Sequence, residues 1–197
     1  HAAIGALESI IKIKEGNARL NIDLSEQYVL SCLDSFTCNR GGFGYRVFRY
    51  INDTSAYGND CNGIIPEFCF PYRGIDKNGN TFTESDYPPV TCDQKCGNWE
   101  DFLIPIVDYK WIKFNNMENE EIRNLIKTLI MEKGPLTIAI AHTWDLHKWG
   151  WTHNNPNDYY AYPGPCEDYL NHEMVVVGWK DDPLIGNGGY WICKNSL

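Results

Sequence analysis

The sequence lacks two features that mark membrane and nucleic-acid-binding proteins. No segment approaches the roughly 20 consecutive apolar residues of a membrane-spanning helix, so we expect a soluble chain without a membrane partner. Lys and Arg total 17 against 26 for Asp and Glu, and the net charge of −9 is spread along the chain without a basic stripe. Nucleic acid is therefore not expected as a partner.

Internal repeats and low-complexity tracts are also absent from the sequence. Its 197 residues are enough for one domain or for two small ones. The first half has helical patterns and the second half has strand patterns, with a boundary near residue 106. We therefore predict a helical, disulfide-rich part at 1–106 and a β-rich part at 107–197.

Two helices are predicted near the start of the chain. Ile4, Leu7 and Ile11 lie at spacings that form one stripe of a helix, and Gly16-Asn17 supplies its C-terminal stop. A second, short helix should begin at Ser25, whose hydroxyl can cap free backbone amides.

A third apolar face is predicted from Tyr45, Phe48 and Ile51. From about Cys61 to Asp101 the pattern is lost among Gly, Pro, Asn and Cys. This loss indicates an irregular region that is held by cross-links rather than by regular secondary structure.

The second half begins with a strand-like alternation at 106–112. One helix is predicted after it, and the remainder of the second half is predicted to be β-rich. The buried stripe of that helix consists of Ile122, Leu125, Ile126, Leu129 and Ile130.

Eight cysteines in a chain of this size indicate an oxidising compartment, although several could instead be small buried hydrophobic residues. Cys61, Cys69, Cys92 and Cys96 lie among turn-forming residues, which favours disulfides. A zinc site that uses Cys92 and Cys96 is the competing interpretation. It has no second ligand pair nearby with suitable spacing, so the disulfide interpretation is preferred.

Two apolar segments near the end of the chain each carry a polar group that a plain strand would not select. The first segment, 171–179, contains His172, and the second, 190–196, contains Asn195. An imidazole that is oriented by a carboxamide is half of a Cys-His-Asn catalytic unit, in which the imidazole takes the proton of a thiol. The nucleophile is the missing half.

With these two segments the sequence resembles the papain-like cysteine peptidases, and further motifs follow in the family's order along nearly the whole chain. The matching motifs are Ala6-Leu7-Glu8, Leu24-Ser25-Glu26-Gln27 with Cys32, Cys38-Asn39-Arg40-Gly41-Gly42, Phe70-Pro71-Tyr72, Gly134-Pro135 with the strand after it, Gly164-Pro165-Cys166, Asn171-His172 and Lys194-Asn195-Ser196. The resemblance implies a two-lobed α+β fold, with a helical N-terminal lobe, a β-barrel-like C-terminal lobe and the active-site cleft between them.

The resemblance also implies the activity, that of an endopeptidase. His172 and Asn195 would be catalytic, and the nucleophilic Cys would lie three positions before His1. The chain as written would then be truncated at both ends and inactive. No cofactor or metal is expected. The expected partners are a peptide or protein substrate, the protein's own propeptide or a proteinaceous inhibitor, and the expected location is secreted, lysosomal or vacuolar.

Substrate contacts carry over by the same resemblance. Gly41 and Gly42 would pair with the substrate backbone. Gly44, Ala139 and Leu170 would line the second specificity pocket, and their small or apolar side chains favour a hydrophobic substrate residue. The aromatic-rich segment 142–165 either extends the cleft wall or packs on itself.

Disulfide partners carry over as well. Cys32 would pair with Cys92 or with Cys96. Cys38 would pair with a cysteine upstream of the nucleophile, and Cys166 with one beyond Leu197.

Several residues depart from the family pattern. The segment 180–187 is longer than in papain, Arg40 enlarges the glycine turn, and Leu197 and His1 replace a Trp and a Phe. A catalytically silent homologue that acts as a binding module is therefore the alternative function. A copper site that uses the amino group and imidazole of His1 with a second histidine is a third hypothesis.

Overall fold

The structure is a computed structural model that describes residues 1–33, 36–38, 40–52, 63–83, 86–153, 158–162 and 169–196. Contacts divide the chain into two units, His1 with Ala3–Glu118 and Ala2 with Asn119–Leu197. This division lies after residue 118, whereas the sequence analysis put it near 106. Residues 107–118 belong with the first unit because Tyr109 and Trp111 pack on helix rings of that unit.

The first helix, α1, spans Ala2–Lys14 and ends where the sequence predicts. Gly16 has a φ of +60°, which glycine adopts without strain. The Gly16 N–H donates to the Ile13 carbonyl at 3.1 Å, and the Asn17 N–H donates to the Lys12 carbonyl at 3.0 Å. This pair of hydrogen bonds satisfies two of the free carbonyls at the end of α1 and confirms the predicted stop.

The second helix, α2, spans Glu26–Cys32 and has Ser25 as its N-cap, as predicted. The Ser25 hydroxyl accepts from the Tyr28 N–H at 2.9 Å and donates to the Phe70 carbonyl at 2.6 Å. One buried hydroxyl therefore caps the helix and fixes it to a distant loop.

The third helix, α3, spans Gly44–Asn52. Of its predicted apolar face, Ile51 is fully buried and Phe48 packs against the core. The buried residues of α3 are Gly44, Val47, Tyr50 and Ile51. Tyr45 and Phe48 are only half-buried and contact Trp111 and Tyr109, respectively. The helix therefore has a second apolar side, which packs against the extended segment after residue 106.

The region between α3 and residue 101 is irregular where the structure describes it, as predicted. Its regular pieces are 3₁₀ helices at Glu67–Cys69, Cys92–Gln94 and Trp99–Phe102. Disulfides join Cys32 to Cys92 and Cys69 to Cys96. The first bridge is one of the two alternatives left open for Cys32. Both cysteines of the proposed zinc pair are thus bonded to other partners.

Asp76 organises a turn within this region. Its carboxylate is fully buried and accepts backbone N–H donors from Cys38, Asn78 and Asn80 at 2.8 to 3.1 Å. Burial acts to raise the pKa of Asp76, but the hydrogen bonds to Asn80, Asn78 and Cys38 outweigh it and hold the pKa below that of an ordinary aspartate.

The core of the first unit gathers residues from all of these elements. Its fully buried hydrophobic members lie in or directly beside α2, in α3 and in the cross-linked loops; they are Leu24, Tyr28, Leu33, Ile51, Ile64, Ile65 and Phe70. The predicted strand at 106–112 is absent, although the chain there is described. Val107 is 84% exposed. No partner strand in the described part of the chain pairs with this segment, so its alternating pattern does not form a strand.

The second unit combines two helices with one antiparallel sheet. The helices are α4, Asn119–Lys133, and α5, Trp144–Thr152. The strands are β1, Leu136–Ile140, β2, His172–Asp181, and β3, Gly189–Lys194, in the order β1-β2-β3. Helix α4 packs against β2, and every residue of its predicted stripe is half-buried.

The outcome for the whole chain is the α+β class that was predicted. The described strands form a three-stranded sheet, and the barrel-like arrangement stays a prediction. Within the described ranges, no helix is both long and apolar enough to cross a bilayer. Cys61, Asn39, Gly164-Pro165-Cys166 and Leu197 lie outside the described residues.

Candidate active site

The antiparallel register brings together the two polar groups that the sequence analysis selected. Strand β2 begins at His172, and β3 ends at Lys194, which lies opposite Val175. Asn195 is the next residue, so the same register continued would place it opposite Met174. Side chains two apart share a face of a sheet, and Asn195 therefore projects on the same side as His172.

The two side chains are hydrogen-bonded. Nε2 of His172 lies 2.7 Å from Oδ1 of Asn195. The Ser196 backbone N–H also donates to this Oδ1, at 2.9 Å. Because Oδ1 accepts, Nε2 must carry the proton in the neutral ring, which leaves Nδ1 of His172 as the acceptor. The site thus presents a base nitrogen on a ring of fixed orientation.

Both side chains are accessible from solvent. His172 is half-buried and Asn195 is exposed. Water competes for an exposed hydrogen bond, so the net stabilisation from one such bond is small, about 1 kcal/mol. The bond is therefore better suited to orienting the ring than to stabilising the fold.

His142 lies beside this pair, which the sequence analysis did not foresee. It lies in the connection between β1 and α5. Its ring centroid is 4.9 Å from that of His172. The sequence signal that could have identified His142 is its position two residues after β1, because β1 pairs with β2, the strand that carries His172.

The aromatic segment that begins at His142 packs mainly on itself where it is described. The rings of Trp149 and Tyr160 are 5.9 Å apart, and those of Trp144 and Trp151 are 6.3 Å apart. Tyr159 stacks on Tyr190 of β3 at 5.8 Å. Trp144 and Trp151 nevertheless remain about two-thirds exposed, at 70% and 68%.

Three predicted substrate-binding glycines lie in the first unit. Gly41 has a φ of +61° and donates its N–H to the Thr37 carbonyl at 2.8 Å. A Cβ at Gly42 would meet the Phe36 ring at 2.3 Å, so a larger residue there would require that ring to move. Gly44 is buried at the start of α3.

The other two predicted substrate contacts lie in the second unit. Ala139 is half-buried in β1, directly opposite Glu173 of β2. Leu170 precedes β2 and is 49% exposed. Within this unit, Ala139 is next to Ile140, which pairs with His172.

Comparison with known proteins identifies the family. The sequence matches the family model for papain family cysteine proteases over residues 1–197. The chain belongs to the papain family. It is 27% identical to macrodontain-1 of Ananas macrodontes, over 99% of this chain and 70% of that protein. It is also 27% identical to cathepsin S of Bos taurus, over 99% of this chain and 47% of that protein.

Solved structures of the family share the fold. The digestive procathepsin L2 proteinase of Tenebrio molitor larval midgut superposes with a TM-score of 0.65 at 20% identity, over 98% of this chain and 49% of that chain. The ragweed allergen Amb a 11, in its proform, gives 0.62 at 21% identity, over 98% and 46%. This chain thus spans about half the length of these structures and of cathepsin S.

A cysteine protease needs a thiolate, and two free thiols are described in this papain-family chain, those of Cys38 and Cys193. Burial raises the pKa of the Cys38 thiol, and the neighbouring Asp76 carboxylate raises it further. Burial also raises the pKa of the Cys193 thiol. Both environments favour the protonated thiol, which is a poor nucleophile.

The His1 imidazole is engaged within the first unit. Its Nδ1 lies 3.0 Å from a Glu26 carboxylate oxygen, and its ring meets Tyr72 edge-on. The hydrogen bond to Glu26 raises the pKa of His1, although burial opposes the rise. The observed partner is a carboxylate rather than a second histidine, so this geometry does not support the copper hypothesis.

Proposed function

We propose that the protein is a cysteine peptidase that hydrolyses peptide bonds through an acyl-enzyme. The observation that carries the proposal is the hydrogen bond between His172 Nε2 and Asn195 Oδ1, 2.7 Å long. It leaves Nδ1 of the ring as a proton acceptor of defined direction. In this role His172 is the general base and acid, and Asn195 is the residue that positions it.

The reaction uses this one nitrogen twice. Nδ1 takes the proton of a cysteine thiol, and the thiolate attacks the peptide carbonyl carbon. The imidazolium then gives its proton to the leaving amine as the C–N bond breaks. Water attacks the resulting thioester as Nδ1 accepts the water's proton. The C–S bond then breaks, the acid product leaves, and the imidazolium returns the proton to the sulfur to regenerate the thiol.

The proposed nucleophile is a cysteine three positions before His1. The family motif aligned on Ala6-Leu7-Glu8 assigns it to that position. Helix α1, extended backwards by about one turn, would put the thiol at a helix N-terminus, where the helix dipole favours thiolate. The raised pKa values of Cys38 and Cys193 disfavour both as alternatives.

The substrate and the setting are part of the same proposal. Gly41 and Gly42 bind the peptide backbone, and the small or apolar side chains at Gly44, Ala139 and Leu170 favour a hydrophobic substrate side chain. A propeptide that covers the site fits the two proforms with which the chain superposes. The disulfides Cys32–Cys92 and Cys69–Cys96 suit an oxidising compartment, so the protein acts in a secreted, lysosomal or vacuolar setting.

The first test is the identity of the residue three positions before His1 in the full-length protein. The proposal requires Cys at that position. A different residue would favour the alternative function, a homologue that binds peptides without cleaving them.

The second test is chemical labelling of the full-length native protein with a thiol-reactive epoxide. We expect stoichiometric modification of that cysteine, loss of peptide hydrolysis in parallel, and at least about tenfold slower labelling in a His172→Ala variant. Cys193, whose thiol pKa is raised by burial, provides an internal control and should react slowly. Equal labelling rates at all free thiols would contradict the proposal.

A further inference from the structure

A second imidazole lies against His172. The ring centroids of His142 and His172 are 4.9 Å apart, and the ring planes meet at 52°. The His142 ring also contacts His147 of α5, with centroids 5.6 Å apart. His142 therefore connects the proposed catalytic ring with the helix that follows β1.

The position of His142 is fixed through Asn171. The Asn171 Oδ1 accepts the backbone N–H of His142 at 2.6 Å, and its Nδ2 donates to the His142 carbonyl at 3.0 Å. The Asn171 backbone N–H donates to the Ile140 carbonyl at 3.1 Å. Because Asn171 directly precedes His172, one backbone segment holds both rings.

The surroundings of His142 favour its neutral form. Its Nε2 is buried, and no hydrogen-bond partner for it occurs within the described residues. A protonated ring would require an acceptor there, and burying such a charge without one is costly. Burial lowers the pKa of His142, and positive charge on His172 and His147 lowers it further. These two imidazoles are the titratable groups that act on it, one from β2 and one from α5.

We infer that His142 is a positioning residue for His172, which it holds in place when neutral and releases when protonated. The neutral ring packs on the His172 ring and limits its rotation, in addition to the Asn195 hydrogen bond. The protonated ring is repelled by the His172 imidazolium and leaves the contact, because two like charges so close together are unfavourable. The inference rests on the proposed function, since it takes His172 as the reacting imidazole.

The kinetic test compares His142→Phe with His142→Ala in the full-length protein. Phe retains a ring against His172 but cannot be protonated, so the acid limb of kcat should extend downward by about half a pH unit or more. Ala removes the packing, so kcat should fall by about fivefold or more, further than in His142→Phe, with KM changed less than about twofold.

The control variant is His153→Phe. His153 is an exposed histidine whose ring stacks on Trp149, and its profile should match that of the wild type. An acid limb of His142→Phe that superimposes on the wild-type limb would overturn the inference. A fall in kcat of equal size in His142→Phe and His142→Ala would overturn it as well.

A second measurement does not depend on catalysis. The ring signals of His142 are titrated by NMR in the full-length protein and in its His172→Phe variant. The pKa of His142 should rise by about half a unit or more in the variant, because one of the two charges that lower it has been removed. An unchanged His142 titration would overturn the inference even in an active peptidase. If the pKa of His142 rises in the variant but the full-length protein has no peptidase activity, the interaction between the two rings is supported and the proposed function is overturned instead.

Discussion

The first unit has a buried hydrophobic core, whereas the second unit carries the candidate active site at the ends of hydrogen-bonded strands. Among the described residues, the buried hydrophobic side chains belong to the first unit apart from Val175 and Val176. The two disulfides that the structure describes also lie in the first unit. In the second unit, α4 has no fully buried residue, and His172 and Asn195 stand at strand ends.

This difference separates stability from chemistry. Core substitutions in the first unit should change the free energy of unfolding, because they leave cavities in close-packed surroundings. Substitutions at the ends of β2 and β3 should change the reaction and leave unfolding almost unaffected. Four predictions test this separation, from the largest expected effect to the smallest.

The His172→Ala substitution should lower kcat/KM of the full-length peptidase by about 10³-fold or more, since it removes the general base and acid. The midpoint of urea unfolding should change little, because the hydrogen bond to the exposed Asn195 contributes only about 1 kcal/mol. His153→Ala, at an exposed histidine after α5, is the control and should keep kcat/KM within about twofold. A residual activity of one-tenth or more in His172→Ala would contradict the proposed role.

Truncation of Phe70 should destabilise the protein more than any comparable change in α4. Phe70 is fully buried, so Phe70→Ala should cost about 3–5 kcal/mol of unfolding free energy. Ile126 of α4 is half-buried, and Ile126→Ala should cost about 1–2 kcal/mol. Urea denaturation measures both. Equal costs would show that the two units are packed alike.

The Asp76 carboxylate should make stability depend on acidity. Its lowered pKa means that its contribution is fully present above the ordinary aspartate pKa of about 3.9 and is lost as the pH falls through the folded-state value. Asp76→Asn should flatten this acid dependence in unfolding midpoints measured between about pH 2 and pH 7. Asp108→Asn, at an exposed aspartate, is the matched control. An unaltered acid dependence in Asp76→Asn would contradict the assignment.

Helix caps provide the smallest comparison. Ser25 caps α2 from a fully buried position and also binds the Phe70 carbonyl, so Ser25→Ala should cost about 2 kcal/mol. Thr143 caps α5 through a longer bond of 3.3 Å to the Leu146 N–H, and Thr143→Ala should cost about 0.5–1 kcal/mol. Thermal unfolding resolves this difference. The reverse order would argue against the comparison between the units.

Local rules allowed the helix ends of the first unit to be predicted from the sequence. A glycine after α1 and a serine before α2 act through backbone groups a few residues away, so no knowledge of the remaining fold is needed. The pairing of His172 with Asn195 was expected from the Cys-His-Asn pattern and from the resemblance to the papain-like peptidases. In the structure, the antiparallel pairing of β2 and β3 brings the two residues together.

Other features depend on what packs against them, and the sequence did not reveal this. Helix α3 has two apolar sides. One packs in the core and the other packs against the extended segment with Tyr109 and Trp111, so the helix sequence alone does not show which is the core side. Residues 106–112 have the composition of a strand but no partner strand. The approach of His142 to His172 likewise results from the pairing of β1 with β2.

A double-mutant cycle on His172 and Asn195 tests the central claim most directly. The kcat/KM of the full-length protein is measured for His172→Ala, Asn195→Ala and the double variant. If Asn195 acts by orienting His172, the double variant should be as slow as His172→Ala alone, because no ring is left to orient. Losses that multiply in the double variant would mean that the two residues act independently, which would contradict the account.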